Sequence, residues 1–272
     1  MDNDTITSGP VRLLRNGVVS VLELNRPDAM NALDTALTDA FLDACRRVTG
    51  DAGVRAVVVR GAGRAFGVGG DLTEMRGDDA KTMPANAAAI AKRLIDGLHG
   101  GLRLLAAGNA PVLAALHGAV AGGSMSLALG CDLRIAADNA RFNLAYARIG
   151  ASNDGSSSWH LPRLVGLGRA MEIALLNDSI DAAEALRLGL VNRVVPVAEL
   201  ERESMALAQR LAEGPTKAYG RIKRLLRASF ERDLSAQLDA EADAFVEGTT
   251  TEDFREGLEA FFGKRAARFS GR

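Results

Sequence analysis

Two glycine-rich loops carry the first residues whose type and spacing could do chemistry. One loop ends at Gly69-Gly70-Asp71, and the other runs from Gly118 to Gly123 into a helical stretch. Glycine lets the backbone approach a ligand closely, and free N–H groups at the start of a helix attract negative charge. Such loops suit the stabilisation of an oxyanion that forms during a reaction. Taken one at a time, however, they could equally be plain turn glycines.

A carboxylate, Asp154, lies in a third segment of small residues, from Gly150 to Gly155. A carboxylic acid can both release and accept a proton, so Asp154 is a candidate functional acid or base. Asn-Asp-Gly followed by three serines is also typical of a turn and a helix N-cap, which is the alternative role for this residue.

The three histidines, His99, His117 and His160, show no metal-ligand spacing. Each is interpreted as a structural histidine, with a catalytic role as the alternative. No G-x-S-x-G motif, which is typical of serine hydrolases, is present. A hydrolytic triad of Ser124, His117 and Asp132 is kept as an alternative. Asp132 is interpreted as an anchor for local backbone. We therefore predict no metal site.

The elements that position these residues alternate between strands and helices. A hairpin is predicted for Val11–Leu14 and Val18–Leu24, since Asn16-Gly17 between them is a strong turn signal. The remaining predicted elements are a helix capped by Asp34 and ending near Val48, strands at Val54–Arg60, Pro111–Leu116 and Cys131–Ala136, and helices at Ala85–Ala107 and from Gly123 to Gly130. This order predicts an α/β fold built as a winding of β-β-α units.

After Val197 the composition changes to helix-forming residues, with breaks expected at Gly214-Pro215 and Gly248. We therefore predict a core over residues 1–197 and a helical region over residues 198–272. Apolar residues such as Phe245, Phe254 and Phe261 in the second region favour subunit contact.

Charge and composition exclude several classes of protein. Thirty-three basic and 34 acidic residues give a net charge of -1, so no overall field attracts nucleic acid or an anionic membrane. The apolar run Ala110–Gly130 is too rich in small residues for a membrane span. The first residues lack the pattern of a secretory signal, and the two cysteines lack a C-x-x-C spacing. These features favour a cytoplasmic protein with no membrane or nucleic-acid partner.

Three segments recur in an order that is typical of one family. They are Leu24-Asn25-Arg26-Pro27 with Asn31-Ala32-Leu33, then Gly63 to Leu72, then His117 to Gly123 running on to Cys131-Asp132. Together they resemble the crotonase superfamily, the enoyl-CoA hydratase and isomerase fold, over essentially the whole chain. The resemblance implies a crotonase-type spiral of β-β-α units in residues 1–197. It also implies a trimerisation region in residues 198–272 and a homotrimer or dimer of trimers.

The resemblance places two oxyanion-binding N–H groups at Gly70 and Gly123, where they would stabilise the enolate of an acyl-CoA thioester. Coenzyme A would then be part of the substrate, with no permanently bound cofactor. The residues implied to line the coenzyme A slot are Arg26, Arg64, Ala65, Val68 and Leu72, joined by Phe261 and Lys264 from the C-terminal helix of this or a neighbouring subunit.

The sequence departs from the hydratases of this family at two positions. Those enzymes use two glutamates to hold and activate water, and this chain has Ser126 and Tyr146 there. Neither side chain is a competent base near neutral pH. Asp154 lies where isomerases and some dehalogenases and C–C hydrolases of the superfamily keep a functional aspartate. Tyr146 could donate a hydrogen bond to the substrate, and Ser126 is interpreted as packing.

These substitutions favour an enoyl-CoA isomerase that uses Asp154 as a proton shuttle. The alternatives are a hydratase with an atypical route, a hydrolase of a thioester or a C–C bond, and an acyl-CoA-binding scaffold without activity. Loops such as Asp78 to Met83 are expected to form the pocket for the acyl group.

Overall fold

The computed structural model describes residues 4–77 and 83–272. The predicted pocket loop from Asp78 to Met83 therefore lies almost entirely outside the described residues. Within the described ranges, the strands are Asp4–Thr7 (β1), Val11–Asn16 (β2), Val19–Leu24 (β3), Ala56–Gly61 (β4), Val112–Leu116 (β5), Ala119–Ala121 (β6), Leu133–Ala137 (β7), Arg141–Asn143 (β8), Ile180–Asp181 (β9) and Arg193–Val195 (β10).

The helices alternate with these strands and then continue alone. They are Thr35–Gly50 (α1), Leu72–Arg76 (α2), Met83–Ala107 (α3), Gly122–Gly130 (α4), Ser157–Val165 (α5), Leu167–Leu176 (α6), Ala182–Leu188 (α7), Leu200–Ala212 (α8), Thr216–Ala228 (α9), Leu234–Thr249 (α10) and Glu252–Phe262 (α11). No helix in the described part of the chain is long and apolar enough to cross a membrane.

A large sheet organises the fold, with the strand order β1-β2-β3-β4-β5-β7-β10. In this sheet β3, β4, β5, β7 and β10 run parallel, whereas β2 pairs antiparallel with β3 as the predicted hairpin. All residues of β3 and β5 are buried, as expected for parallel strands that are covered on both faces. The strands β6, β8 and β9 form a separate, smaller sheet in the order β6-β8-β9. The mixed α/β fold is as predicted.

Local signals placed several elements correctly. Asp34 caps α1 and accepts a hydrogen bond from Leu37 N at 2.7 Å, as expected from its type and position. The predicted break at Gly214-Pro215 separates α8 from α9. The break expected at Gly248 lies two residues later, between α10 and α11. Its position is set by Thr251, which caps α11 by accepting a hydrogen bond from Phe254 N. A further break precedes α10, where Asp233 caps the helix by accepting a hydrogen bond from Ala236 N. The sequence did not predict this break.

The first C-terminal helix, α8, packs against the large sheet. Leu207, Ala208 and Ala212 are buried with Leu113 and Ile135 of the central strands. In contrast, α10 has no buried residue, and Phe245 on this helix is 68% exposed. The helical region therefore contains both a covering layer for the sheet and helices whose apolar side chains face outward.

Candidate functional site

The two glycine loops meet at the carboxyl ends of β4 and β5. Phe66 N donates to His117 O at 2.9 Å, and the amide of Ala121 donates to Gly67 O at 2.9 Å. These bonds tie one loop to the other along several residues. Ser124, at the start of α4, adds a further tie, because its hydroxyl accepts from Gly69 N at 3.2 Å.

The loops approach so closely that side chains would not fit between them. A Cβ added at Gly69 would lie 3.0 Å from Gly123 N, and one at Gly67 would lie 2.4 Å from the Ser124 hydroxyl oxygen. Gly69 also has a positive φ of 89°, which glycine adopts without strain. The glycines therefore allow the two loops to bring Gly70 and Gly123 next to each other.

The N–H groups of Gly70 and Gly123 are available to a ligand. Leu33 N donates to Gly69 O, and Asp71 N donates to Leu33 O. The N–H of Gly70 belongs to the same trans peptide as Gly69 O and points in the opposite direction, so it points away from Leu33. Gly123 is the second residue of α4, where amides have no partner within the helix.

Both glycines line a cavity of about 360 Å³. Its walls are largely apolar and include Leu94 and Leu98 of α3 and Leu144 after β8. The same cavity is lined by Tyr146 and Asp154, so the structure brings together the four residues that the sequence singled out for chemistry. Among the described residues that line it, Asp154 is the only carboxylate.

Tyr146 and Ser126 form a hydrogen-bonded pair at the positions where the resemblance implies glutamates. Their hydroxyl oxygens are 2.9 Å apart, and the Tyr146 hydroxyl also donates to the backbone carbonyl of Asp154 at 3.2 Å. Ser126 is fully buried. Burial raises the pKa of Tyr146 to about 12, so its phenol stays protonated near neutral pH. The pair can donate hydrogen bonds but cannot act as a base.

The Asp154 segment lies directly on Ser126. A Cβ added at Gly155 would lie 2.7 Å from the Ser126 Cβ, and Gly155 has a positive φ of 62°. The Asp154 carbonyl also accepts from the Ser157 hydroxyl at 2.9 Å. A small residue at position 126 therefore provides the space that this backbone occupies.

His99 is a residue whose place in the site the sequence did not reveal. Its Nε2 lies 2.8 Å from Oδ1 of Asp154. The two side chains are 30% and 28% exposed, so the pair lies at the edge of the protein interior. The interpretation of His99 as a plain structural histidine missed this contact, because the partner is 55 residues away and no local motif links the two.

Three residues predicted to line the coenzyme A slot lie near the first glycine loop. The Arg26 guanidinium pairs with Asp34 at 3.2 Å and with Asp71 at 3.1 Å, which leaves Nη2 without a partner among the described residues. Ala65 is buried, with only 1% of the residue exposed. The side chain of Arg64 is exposed.

The other predicted slot residues divide between two regions. Val68 and Leu72 line the cavity, and Leu72 is 51% exposed. Phe261, at the end of α11, and Lys264, which follows it, are exposed and do not line the cavity of their own chain. Within a single chain, Phe261 and Lys264 therefore do not lie at the cavity that Val68 and Leu72 line.

The possible triad of Ser124, His117 and Asp132 does not form. Ser124 is buried against Gly69, and His117 Nε2 bonds to Gly63 O at 2.9 Å. Asp132 accepts from Val112 N at 2.8 Å, as expected of a backbone anchor. Among the described residues, none of the three is hydrogen-bonded to another.

Comparisons with known proteins point to one family. A sequence model described as "Enoyl-CoA hydratase/isomerase" matches residues 15–272. A Rhodobacter capsulatus protein named "Probable enoyl-CoA hydratase" is 40% identical over 254 residues, which are 93% of this chain and 95% of that protein. An Escherichia coli protein named "1,2-epoxyphenylacetyl-CoA isomerase" is 34% identical over 254 residues, with 93% and 95% covered.

A solved structure shares the fold. The crystal structure of an enoyl-CoA hydratase from Polaromonas superposes with a TM-score of 0.89 at 32% identity, covering 96% of this chain and 100% of that one. The agreement of sequence and fold extends over nearly the full length of the chain. This protein belongs to the enoyl-CoA hydratase/isomerase family.

Proposed function

We propose that this protein is an enoyl-CoA isomerase that moves a double bond into conjugation with a thioester carbonyl. The observation that carries the proposal is the single carboxylate, Asp154, on the described wall of a cavity that also holds the N–H groups of Gly70 and Gly123. A hydratase of the paired-glutamate kind needs two carboxylates. Here the positions implied for the glutamates hold Ser126 and Tyr146, whose hydroxyls bond to each other.

The chemistry follows from the positions of these groups. Asp154 removes a proton from the α-carbon of a 3-enoyl-CoA, and the carbonyl oxygen becomes an enolate oxygen. The amides of Gly70 and Gly123 stabilise that oxygen, because they are fixed in place before the charge develops. The protonated Asp154 then returns the proton to the γ-carbon, which gives the conjugated 2-enoyl-CoA. No water or other reactant is consumed.

The relatives support an acyl-CoA substrate and differ on the reaction. Several are named as hydratases, and the Escherichia coli relative is named as an isomerase of an acyl-CoA. We infer that coenzyme A lies along Val68 and Leu72 at the mouth of the cavity, with its phosphates towards the exposed Arg64. An apolar acyl group suits the leucines that line the cavity.

We further propose that the chain assembles as a homotrimer or a dimer of trimers through its C-terminal helices. Support comes from large apolar side chains that face outward on α10 and α11, such as Phe245, Phe261 and Phe262, which are 68%, 76% and 78% exposed. In such an assembly, Phe261 and Lys264 of one subunit would complete the coenzyme A site of the next. Size-exclusion chromatography with light scattering tests this, and a purely monomeric protein contradicts it.

An assay with three substrates tests the reaction. The purified protein is incubated with a 3-enoyl-CoA, a 2-enoyl-CoA and a saturated acyl-CoA, and the products are separated by chromatography and mass. We expect a 2-enoyl-CoA from the first substrate at a rate well above those of the other two reactions. A 3-hydroxyacyl-CoA as the main product would indicate a hydratase, and free coenzyme A a hydrolase. Binding without turnover would indicate a scaffold.

A further inference from the structure

His99 contacts the one group that the proposed reaction needs as an acid and a base. Its Nε2 lies 2.8 Å from Oδ1 of Asp154. A carboxylate has only acceptors, so the ionised Asp154 requires the proton to be on Nε2, and His99 is the donor. His99 itself does not line the cavity, whereas Asp154 does. The histidine therefore contacts the carboxylate from outside the cavity.

The helix that carries His99 is held firmly in place. A Cβ added at Gly97 would lie 2.9 Å from backbone and side-chain atoms of Thr38 on α1, and one at Gly101 would lie 2.4 Å from the Phe41 ring. These two glycines let α3 pack closely on α1. On another side of α3, Leu98 contributes to the cavity wall and is 3% exposed. His99 thus extends from a closely packed element.

Asp154, in contrast, lies in a loop before α5. Its backbone carbonyl accepts from Tyr146 and Ser157, which fixes the main chain. Among the described residues, His99 is the only hydrogen-bond partner of the carboxylate itself. Oδ2 has no partner there. Without His99, the side chain could rotate about its own bonds while the backbone stayed in place.

We propose that His99 is a positioning residue for Asp154. By donating to Oδ1 it orients the carboxylate so that Oδ2 faces the substrate carbons and carries the proton between them. This inference rests on the proposed function, since it specifies how the shuttle of that reaction is aimed. The rigid support matters because a misplacement of about 1 Å at a reacting group can lower a rate about 100-fold.

Two substitutions at position 99 test the proposal. His99→Leu removes the donor, and we expect kcat on a 3-enoyl-CoA to fall about 10- to 100-fold with KM changed less than about twofold. His99→Gln places an amide N–H near the position of Nε2, and we expect it to restore most of kcat. Lys92→Gln is the matched control, because Lys92 is an exposed residue of the same helix that pairs with Asp96. It should behave like the unchanged protein.

A second readout separates this proposal from the proposed function. Exchange of the α-protons of a saturated acyl-CoA in D₂O, followed by mass spectrometry, reports proton removal by Asp154 whether or not a double bond moves. We expect His99→Leu to slow this exchange by the same factor as kcat. If the unchanged protein exchanges α-protons but does not isomerise, the proposed function fails while the exchange rates still test His99.

Three results would overturn the positioning role. One is a His99→Leu variant with unchanged turnover and exchange. Another is a His99→Gln variant that is as inactive as His99→Leu, although the thermal unfolding midpoint of the glutamine variant matches that of the unchanged protein. This result would show that Asp154 does not need a fixed hydrogen-bond donor at position 99. The third is an unchanged protein that neither isomerises nor exchanges, which would overturn both proposals.

Discussion

The two sides of the cavity are built in different ways. The backbone side, formed by Gly70 and Gly123, is fixed by hydrogen bonds between two loops that continue from neighbouring parallel strands. The side-chain side is formed by Asp154 and Tyr146, with the buried Ser126 behind them, and depends on contacts among α3, α4 and the segment between β8 and α5. One side is a product of the sheet, and the other is a product of packing between separate elements.

The two sides of the cavity therefore have different roles: one stabilises the enolate intermediate, and the other selects the reaction that this intermediate undergoes. Two backbone amides can stabilise any thioester enolate, whatever happens next, because they recognise only the oxygen. The groups opposite determine which proton moves and whether water takes part. We therefore expect changes on the backbone side to affect every reaction of the enzyme, and changes on the side-chain side to affect the choice of reaction.

The largest effect is expected for Asp154→Asn. The amide has nearly the same shape but cannot accept and return a proton, so we expect kcat for isomerisation to fall about 1000-fold, with KM nearly unchanged. Steady-state kinetics measure this. Asp96→Asn is the control, since Asp96 is 64% exposed and pairs with Lys92. Unchanged turnover in the Asp154 variant would remove this residue from the mechanism.

A pair of substitutions at Gly70 tests the backbone side. Gly70→Pro removes the N–H, and we expect kcat to fall about 100-fold or more for isomerisation and for α-proton exchange alike. Gly70→Ala keeps the N–H, and its Cβ would meet only the mobile end of Met75 at 3.0 Å. It should retain most of kcat. Equal activities in two folded variants, checked by circular dichroism, would contradict an oxyanion role for this amide.

Replacing Ser126 by glutamate asks whether one residue can turn the site into a hydratase. Gly155 leaves no room above the buried Ser126, and a buried carboxylate without a cation is costly, so we expect the free energy of unfolding to fall by about 2–4 kcal/mol. Isomerisation should fall about tenfold, without a gain in hydration. Chemical denaturation and product analysis measure both, with Ser126→Ala as the control. A stable variant that hydrates a 2-enoyl-CoA would contradict this view.

The smallest effect is expected for Tyr146→Phe. The variant loses the hydrogen bonds to Ser126 and to the Asp154 carbonyl, which should lower kcat a few-fold and the free energy of unfolding by about 1 kcal/mol. Because the pKa of Tyr146 is about 12 in the folded protein and near 10 in the unfolded chain, the unfolded state loses this proton first as the pH rises.

The contribution of the buried phenol should therefore be constant up to about pH 9 and should decline between about pH 10 and 12. Denaturation of both proteins across this range measures the decline as a narrowing stability difference. A difference that already changes between pH 6 and 9 would show that Tyr146 ionises more readily than its burial implies.

Local features of the chain could be predicted because their causes are local. The hairpin at Asn16-Gly17, the cap at Asp34 and the helix break at Gly214-Pro215 each depend on a few adjacent residues. The positions of the glycine loops were predicted for the same reason. The break before α10 was missed, because Asp233 gives a weaker signal than glycine or proline.

Contacts between distant residues could not be predicted in this way. The guanidinium of Arg26, predicted for coenzyme A, is paired with Asp34 and Asp71, which cap α1 and α2 and are separated along the chain by α1 and β4. The pairing of His99 with Asp154 depends on how closely α3 approaches the segment before α5. A Cβ added at Gly155 would lie 3.2 Å from Leu98 of α3, and no periodicity in a single segment reveals this contact.

The sequence by itself determined the family, the α/β order of elements, the two glycine loops and the absence of the expected glutamates at positions 126 and 146. These are properties of residue type and spacing along one chain. The tertiary structure decided that Gly70, Gly123, Tyr146 and Asp154 share one cavity, and that His99 holds the carboxylate from outside it. The reason is physical: hydrogen bonds and close packing act at a few ångströms in space, however many residues separate the partners along the chain.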